Sequence, residues 1–132
     1  MKNIILVCLL GFIYSCSFVR NKEVFDKYHL IAVDTRSDLC LGYEVNNTGN
    51  YVCIVPSQIL AFTTVGKYIL LKQRPYHTKV ASDTNYYIVP ILKDNVIVFP
   101  EDSIIGPLKK HEFDTLISKM HLGKWEFREL NE

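Results

Sequence analysis

The residue whose type and position most clearly predict a chemical reaction is Cys16, which ends the N-terminal segment of the chain. This segment begins Met-Lys-Asn and continues with an apolar run from Ile4 to Ile13. A small residue, Ser15, directly precedes the cysteine. One positive charge, a short apolar run and a small residue before the cut are typical of a secretory signal peptide. The sequence therefore predicts export of the chain, with residues 1–15 as the signal.

The end of this segment, Ile13-Tyr14-Ser15-Cys16, resembles the lipobox of bacterial lipoprotein signals. The resemblance implies that the Cys16 thiol receives a diacylglyceryl group and holds the protein on a membrane of the bacterial cell envelope. Since a single acyl chain binds a bilayer only marginally, stable anchoring needs two or three chains. Residues 16–23 would then form a lipidated tether, with the membrane as a partner through that anchor.

Two alternatives stay open for this segment. The first is an uncleaved membrane anchor, which would need about 20 apolar residues, roughly twice the length of the run. The second is ordinary cleavage nearby, which would leave Cys16 as a free thiol.

The remaining thiols of interest are Cys40 and Cys53, in two successive apolar runs joined by Asn46–Asn50. This pattern predicts a hairpin. A two-residue turn at Asn46-Asn47 would place the cysteines directly opposite each other, whereas a turn centred on Thr48-Gly49 would not. Disulfides persist in exported proteins, so a disulfide bond and two buried free thiols both stay open. The sequence has no Cys-x-x-Cys motif and no Cys/His quartet, so no zinc site is predicted.

A cationic stretch with aromatic residues is the best candidate for binding a partner. Its residues are Lys72, Arg74, Tyr76, His77 and Lys79. In a loop, these side chains could dock acidic groups, either anionic lipid headgroups or an acidic surface of an envelope protein. A solvated hairpin loop without a partner is the alternative.

Motifs of known catalytic chemistry are absent from the sequence. It contains no His-Glu-x-x-His, no Gly-x-Ser-x-Gly, no phosphate-binding Gly-rich loop and no dinucleotide fingerprint. We therefore predict a protein that is not an enzyme and that binds no metal or cofactor. The formal net charge of +1 gives no electrostatic drive toward nucleic acid.

The elements that must position these residues are mostly strands. Short aromatic and β-branched runs alternate with polar turns, and an apolar stripe of Phe113, Leu116, Ile117 and Met120 predicts a helix over Lys109–Leu122. We predict an α+β fold for residues 24–132, as a single β-rich domain. It would be an antiparallel β-meander of about six to eight short strands, with the amphipathic C-terminal helix packed on the sheet. A small barrel or sandwich with a peripheral helix is the alternative.

Several short motifs from Leu41 to Leu122 resemble a family of small bacterial lipoproteins whose domain has no assigned function. They are Gly42-Tyr43-Glu44, Tyr68-Ile69 running into Lys72-Gln73, Tyr86-Tyr87-Ile88, and Gly106-Pro107-Leu108 followed by Glu112-Phe113. The resemblance implies a compact lipid-anchored domain, but it implies no activity.

Two functional hypotheses follow from the sequence. The favoured one is a non-catalytic, membrane-tethered binding module of the cell envelope, for example of an inhibitor or immunity type. The other is a small envelope hydrolase or ligand-carrying protein, which would need a pocket with converging polar groups.

Overall fold

The computed structural model describes residues 20–32, 35, 38–75, 83–92 and 100–130. These residues form two antiparallel sheets and one helix. The first sheet has the strand order β1-β2-β3-β4. Its strands are β1 (Arg20–Phe25), β2 (Tyr28–Ala32), β3 (Cys40–Val45) and β4 (Asn50–Val55).

The second sheet has the strand order β8-β7-β6-β5-β9. Its strands are β5 (Ile59–Val65), β6 (Tyr68–Gln73), β7 (Asn85–Pro90), β8 (Ile105–Leu108) and β9 (Arg128–Glu129). A 3₁₀ turn (Pro100–Ser103) precedes β8, and the helix α1 (Lys110–Met120) follows it. Within the described ranges, no helix has the length and apolar character needed to cross a bilayer.

The predicted α+β class is confirmed, but the single meander is wrong, because the strands form two stacked sheets. The reason lies in β6, where apolar residues occupy both faces. Ile69 and Leu71 pack into the core between the sheets, whereas Leu70 packs against the helix. A strand that is apolar on both faces needs cover on both sides, which one sheet with one helix cannot provide.

Strand β1 begins at Arg20, so residues 20–23, which the sequence placed in the tether, belong to the first sheet. Arg20 pairs with Ala32, and the ladder continues to Phe25, opposite Tyr28. Polar and charged side chains are frequent in edge strands exposed to water, which is why this segment lacks the apolar pattern of a buried strand. Lys22 reaches from β1 to the second sheet, where its Nζ lies 5.3 Å from the ring centroid of Phe62.

Tyr28 connects the two sheets. Its hydroxyl donates to the carbonyl oxygen of Pro90 at 3.2 Å and accepts from the Leu92 N–H at 3.1 Å. The side chain is only 1% exposed, and its burial raises the pKa of the phenol above its ordinary value, while the bond from Leu92 lowers it. The hydroxyl thus forms hydrogen bonds with two backbone groups that are shielded from water.

Replacing Tyr28 by phenylalanine is expected to lower the free energy of unfolding by about 1–3 kcal/mol, because two backbone groups lose their partner. The raised pKa also fixes a pH dependence. The folded state holds the phenolic proton more tightly than the unfolded state does. Its contribution to the free energy of unfolding is therefore fully present below the unfolded pKa of about 10, and it is lost as the pH rises through the folded pKa. Urea unfolding at neutral and alkaline pH measures both effects. A variant with the parent's midpoint and the parent's alkaline loss would contradict this role.

The helix covers the outer face of the second sheet with the apolar stripe that the sequence predicts. Phe113 is 1% exposed and packs with Leu70 and Ile88. The helix is shorter than predicted at both ends. Glu112 accepts the Lys109 backbone N–H at 2.7 Å at its start, and His121 adopts a left-handed φ of 50° directly after Met120. The helix therefore ends before Leu122, the last residue of the predicted range.

Candidate functional site

The two sheets share a common pair of ends, which define where each candidate residue lies. The Ile59 N–H donates to the Leu39 carbonyl oxygen at 2.8 Å, so the starts of β3 and β5 are neighbours. Arg20, where β1 begins, lies at this end through its pairing with Ala32. We call this the N-terminal end of the sandwich. The opposite end holds the β1–β2 turn, Tyr28 and Pro90.

Cys16 lies outside the described residues, four positions before Arg20. A fully extended chain advances about 3.3–3.6 Å per residue, so the Cys16 sulfur cannot be much more than about 14 Å from the start of β1 along the chain. An acyl group on Cys16 would consequently keep the N-terminal end of the sandwich close to a bilayer.

Lys72 belongs to strand β6 and not to a loop, which corrects the sequence prediction. Its Nζ donates to Glu129 Oε1 at 2.9 Å and lies 4.8 Å from the ring centroid of Phe127. The backbone of Lys72 continues the strand beyond the apolar residues of β6 and pairs with Tyr86 on β7. Lys72 therefore joins the C-terminal segment to the sheet, and its charge is already engaged.

Arg74 follows β6 at the N-terminal end of the sandwich. Its backbone N–H donates to the Gln58 carbonyl oxygen at 2.9 Å, and its own carbonyl oxygen accepts from Gln58 at 3.2 Å. The side chain is half-buried, and its Nε is buried without a hydrogen-bond partner in the described part of the chain. Tyr76, His77 and Lys79 lie outside the described residues, so the structure places only the first two members of the cationic stretch.

A chain of polar side chains runs along this end of the second sheet. Gln73 is buried, donates to the Ser57 carbonyl oxygen at 3.1 Å and accepts from Asn85 Nδ2 at 3.2 Å. Lys109 Nζ in turn lies 3.4 Å from Asn85 Oδ1 and 3.5 Å from Asp83 Oδ1. These bonds tie β6, β7 and the start of the helix together, which gives the network a structural role.

Cys40 and Cys53 form a disulfide bond between β3 and β4, with their Cα atoms 5.9 Å apart. Neither turn considered for the hairpin describes it, because Val45 pairs with Asn50 and a four-residue turn lies between them. Cys53 is opposite Gly42, and the ladder shifts register between Leu41 and Gly42. The bond therefore crosses the sheet diagonally, on the face that points away from the second sheet.

Replacing Cys53 by serine is expected to lower the free energy of unfolding by about 3 kcal/mol, since the bond closes a loop with a sequence separation of 13. Urea unfolding with and without a reductant tests this. The reductant should lower the stability of the parent and leave that of Cys53→Ser unchanged. Equal stability of parent and variant without reductant would contradict the prediction.

The same outer face of the first sheet carries a small aromatic contact. His29 lies with its ring centroid 4.7 Å from that of Tyr51. Its Nδ1 is 2.7 Å from Asn21 Oδ1, and its Nε2 is 3.1 Å from the Asp26 carbonyl oxygen. Both ring nitrogens thus lie against oxygen atoms of the β1–β2 hairpin, which makes His29 a part of the sheet surface.

Sequence reasoning missed an apolar row at the opposite end of the first sheet. Phe25 pairs with Tyr28, Tyr28 with Tyr43, and Tyr43 with Val52, so the four residues form a row across the four strands of the first sheet. The buried Tyr28 lies within the row, but Phe25 and Val52 at its ends are each 47% exposed. Val45, two residues beyond Tyr43, is 36% exposed. The signal for this row in the sequence is the uncharged run Asn50–Val55. The run predicts a strand, but it does not report which residues of other strands lie beside it.

Among the described residues, no group of three or more His, Cys, Asp or Glu side chains is arranged to hold a metal ion. Comparisons of the chain with protein-family models, with curated proteins and with solved structures found no match.

Proposed function

We propose that the protein is a lipoprotein of the bacterial cell envelope that serves as a non-catalytic binding module for another envelope protein. The observation that carries the proposal is Cys16, which follows a signal-like segment and is separated by three residues from the first described strand. The same N-terminal segment supports its membership in the family of small lipoproteins that it resembles.

The arrangement of the sandwich supports a defined orientation on the membrane. Arg20 and Arg74 both lie at the N-terminal end, which the short tether would keep near the bilayer. Arginine side chains near a surface of anionic lipids contribute about 1 kcal/mol each to binding. Arg74 is half-buried at this end, and a guanidinium binds phosphate oxygens through parallel N–H donors, which suits a phosphate headgroup.

An inhibitor or immunity-type protein is one form of such a module, because a stable scaffold moored in one compartment can hold an enzyme of that compartment inactive. Rigid scaffolds lose little conformational entropy on binding. The buried apolar core between the sheets, the cover by α1 and the disulfide all favour a rigid scaffold.

Recovery of a specific partner tests the proposal. The full chain, with an affinity tag after Glu132, is purified from detergent-solubilised envelopes of the producing cells. One envelope protein is expected to co-purify in stoichiometric amount with the tagged chain and to be absent from an untagged control. Repeated purification of the tagged chain alone would contradict the proposal.

A further inference from the structure

We propose that strand β4 receives an extended segment of the partner protein as an added strand, along the half of β4 that points away from the membrane. The inference rests on the proposed lipid-anchored binding function and names the surface that performs it. Addition of a strand to an exposed sheet edge uses main-chain hydrogen bonds for affinity and alternate side chains for specificity.

The edges of the two sheets differ in how they are protected. Strand β1 carries Arg20, Lys22 and Glu23, β8 contains Pro107, and β9 has only two residues. Charges, proline and short length are the devices that normally prevent further pairing at an edge. Strand β4 has six residues, Asn-Tyr-Val-Cys-Ile-Val, with neither a charge nor a proline. Among the described edges it is the one best suited to accept another strand.

The outer side of β4 has no ladder partner in the described ranges. Its residues pair with β3, and the 3₁₀ turn that lies close to it forms no ladder with it. Exposure is concentrated in the half near the opposite end, where Val52 is 47% exposed and Cys53 is also exposed. Val55, the last residue of β4, lies at the N-terminal end of the sandwich and is fully buried. The accessible part of the edge is therefore the part farthest from the N-terminal end of the sandwich, where Arg20 begins β1.

The apolar row across the first sheet supplies specificity for an added strand. A partner residue opposite Val52 would extend the row formed by Phe25, Tyr28, Tyr43 and Val52. An apolar side chain at that position would cover Val52, which costs free energy while it remains in water. The partner segment should consequently carry an apolar or β-branched residue at this position, with further ones at alternate positions.

The disulfide prepares this edge for binding. It fixes β4 to β3 close to Val52, so the edge keeps its extended conformation before a partner arrives. Fixing a binding element in its bound conformation lowers the entropic cost of association.

The lipid anchor favours a different protein over a second copy of this chain. Antiparallel pairing of β4 with β4 of another copy would place the two N-terminal ends at opposite ends of the joined sheet. A strand of six residues is about 20 Å long, whereas the span from Cys16 to Arg20 reaches about 14 Å. The two anchors could not easily enter one bilayer with the strands upright. A lipid occupant is also disfavoured, because acyl chains leave the backbone groups of an edge without hydrogen bonds.

Site-specific photo-crosslinking in producing cells tests the proposal. Val52 is replaced by p-benzoylphenylalanine in the full acylated chain, and Ile105, which is 39% exposed on β8, receives the same replacement as a matched control. Irradiation should join position 52 to one other envelope protein, through a single segment that mass spectrometry can map. Position 105 should give no such adduct.

Charge substitution at the same positions provides the second arm. Val52→Lys should reduce recovery of that partner at least ten-fold, because a lysine on the edge opposes strand addition. Ile105→Lys should leave recovery unchanged. An adduct of position 52 with a second copy, with lipid or within its own chain would each overturn the proposal, as would equal loss of the partner in both lysine variants. Co-purification of a partner with none of these position-52 effects would refute the docking edge and leave the proposed binding function standing.

Hydrogen exchange of the purified chain checks the edge before any partner is known. Alternate amides of Asn50–Val55 should exchange as fast as exposed amides, because every second N–H in an edge strand points away from its neighbour. Protection of all these amides would show that the edge is already covered, which would overturn the proposal.

Discussion

Replacing Cys16 by alanine is expected to abolish acylation and, with it, stable attachment of the mature domain to the membrane. The physical reason is that the Cys16 thiol is the group that would carry the proposed acyl chains, so its removal leaves them no point of attachment. Each buried CH₂ contributes about 0.8 kcal/mol, and two or more chains are needed for stable anchoring. A change from nearly complete to nearly absent attachment of the processed chain is therefore expected.

The measurement is fractionation of producing cells, followed by detection of processed and unprocessed chain in membrane and soluble fractions. Cys8→Ala is the matched control, because Cys8 lies within the predicted signal and should be removed with it. The Cys8→Ala chain should behave as the parent does. A Cys16→Ala chain that is processed and membrane-bound to the same extent as the parent would rule out anchoring through this thiol.

Replacing Phe113 by alanine is expected to lower the free energy of unfolding by about 3–5 kcal/mol, because a fully buried aromatic ring leaves a cavity between the helix and the second sheet. Its ring stacks on Tyr86 at a centroid distance of 4.8 Å and contacts Phe127 at 6.1 Å and Trp125 at 6.0 Å. Helix α1 and the C-terminal segment together cover the outer face of the second sheet, and Phe113 contacts both the sheet and that segment. A loss of that size is a large fraction of the stability of an ordinary domain.

Urea unfolding of the purified domain measures this loss. Lys119→Ala, on the exposed side of the same helix, is the control and should change the free energy of unfolding by less than about 0.5 kcal/mol. If Phe113→Ala lost less than about 1 kcal/mol, the packing of the helix on the second sheet would be contradicted.

Local pattern predicted the elements better than it predicted their assembly. The hairpin predicted for the runs that hold Cys40 and Cys53 forms as β3 and β4, because two apolar runs joined by an Asn-rich turn are a short-range signal. The helix stripe of Phe113, Leu116, Ile117 and Met120 also packs as its spacing predicted. The two-sheet arrangement depends instead on long-range contacts, such as Tyr28 with Pro90, which no local period reports.

The candidate sites show the same division. The charges of the cationic stretch predict a loop for Lys72. Its ladder pairing with Tyr86 and its ion pair with Glu129 hold it in the sheet instead. The apolar row from Phe25 to Val52 joins residues of four strands, so it becomes visible only once the strand register is known. The role proposed for Cys16 rests on the sequence of residues 1–16, because this residue lies outside the described ranges.

Intact mass spectrometry of the protein extracted from envelopes shows whether the mature chain begins at an acylated Cys16. We expect a chain that starts at Cys16 and carries the added mass of two or three acyl chains on that residue. A mature chain with an unmodified Cys16, or a chain that retains Met1, would contradict it.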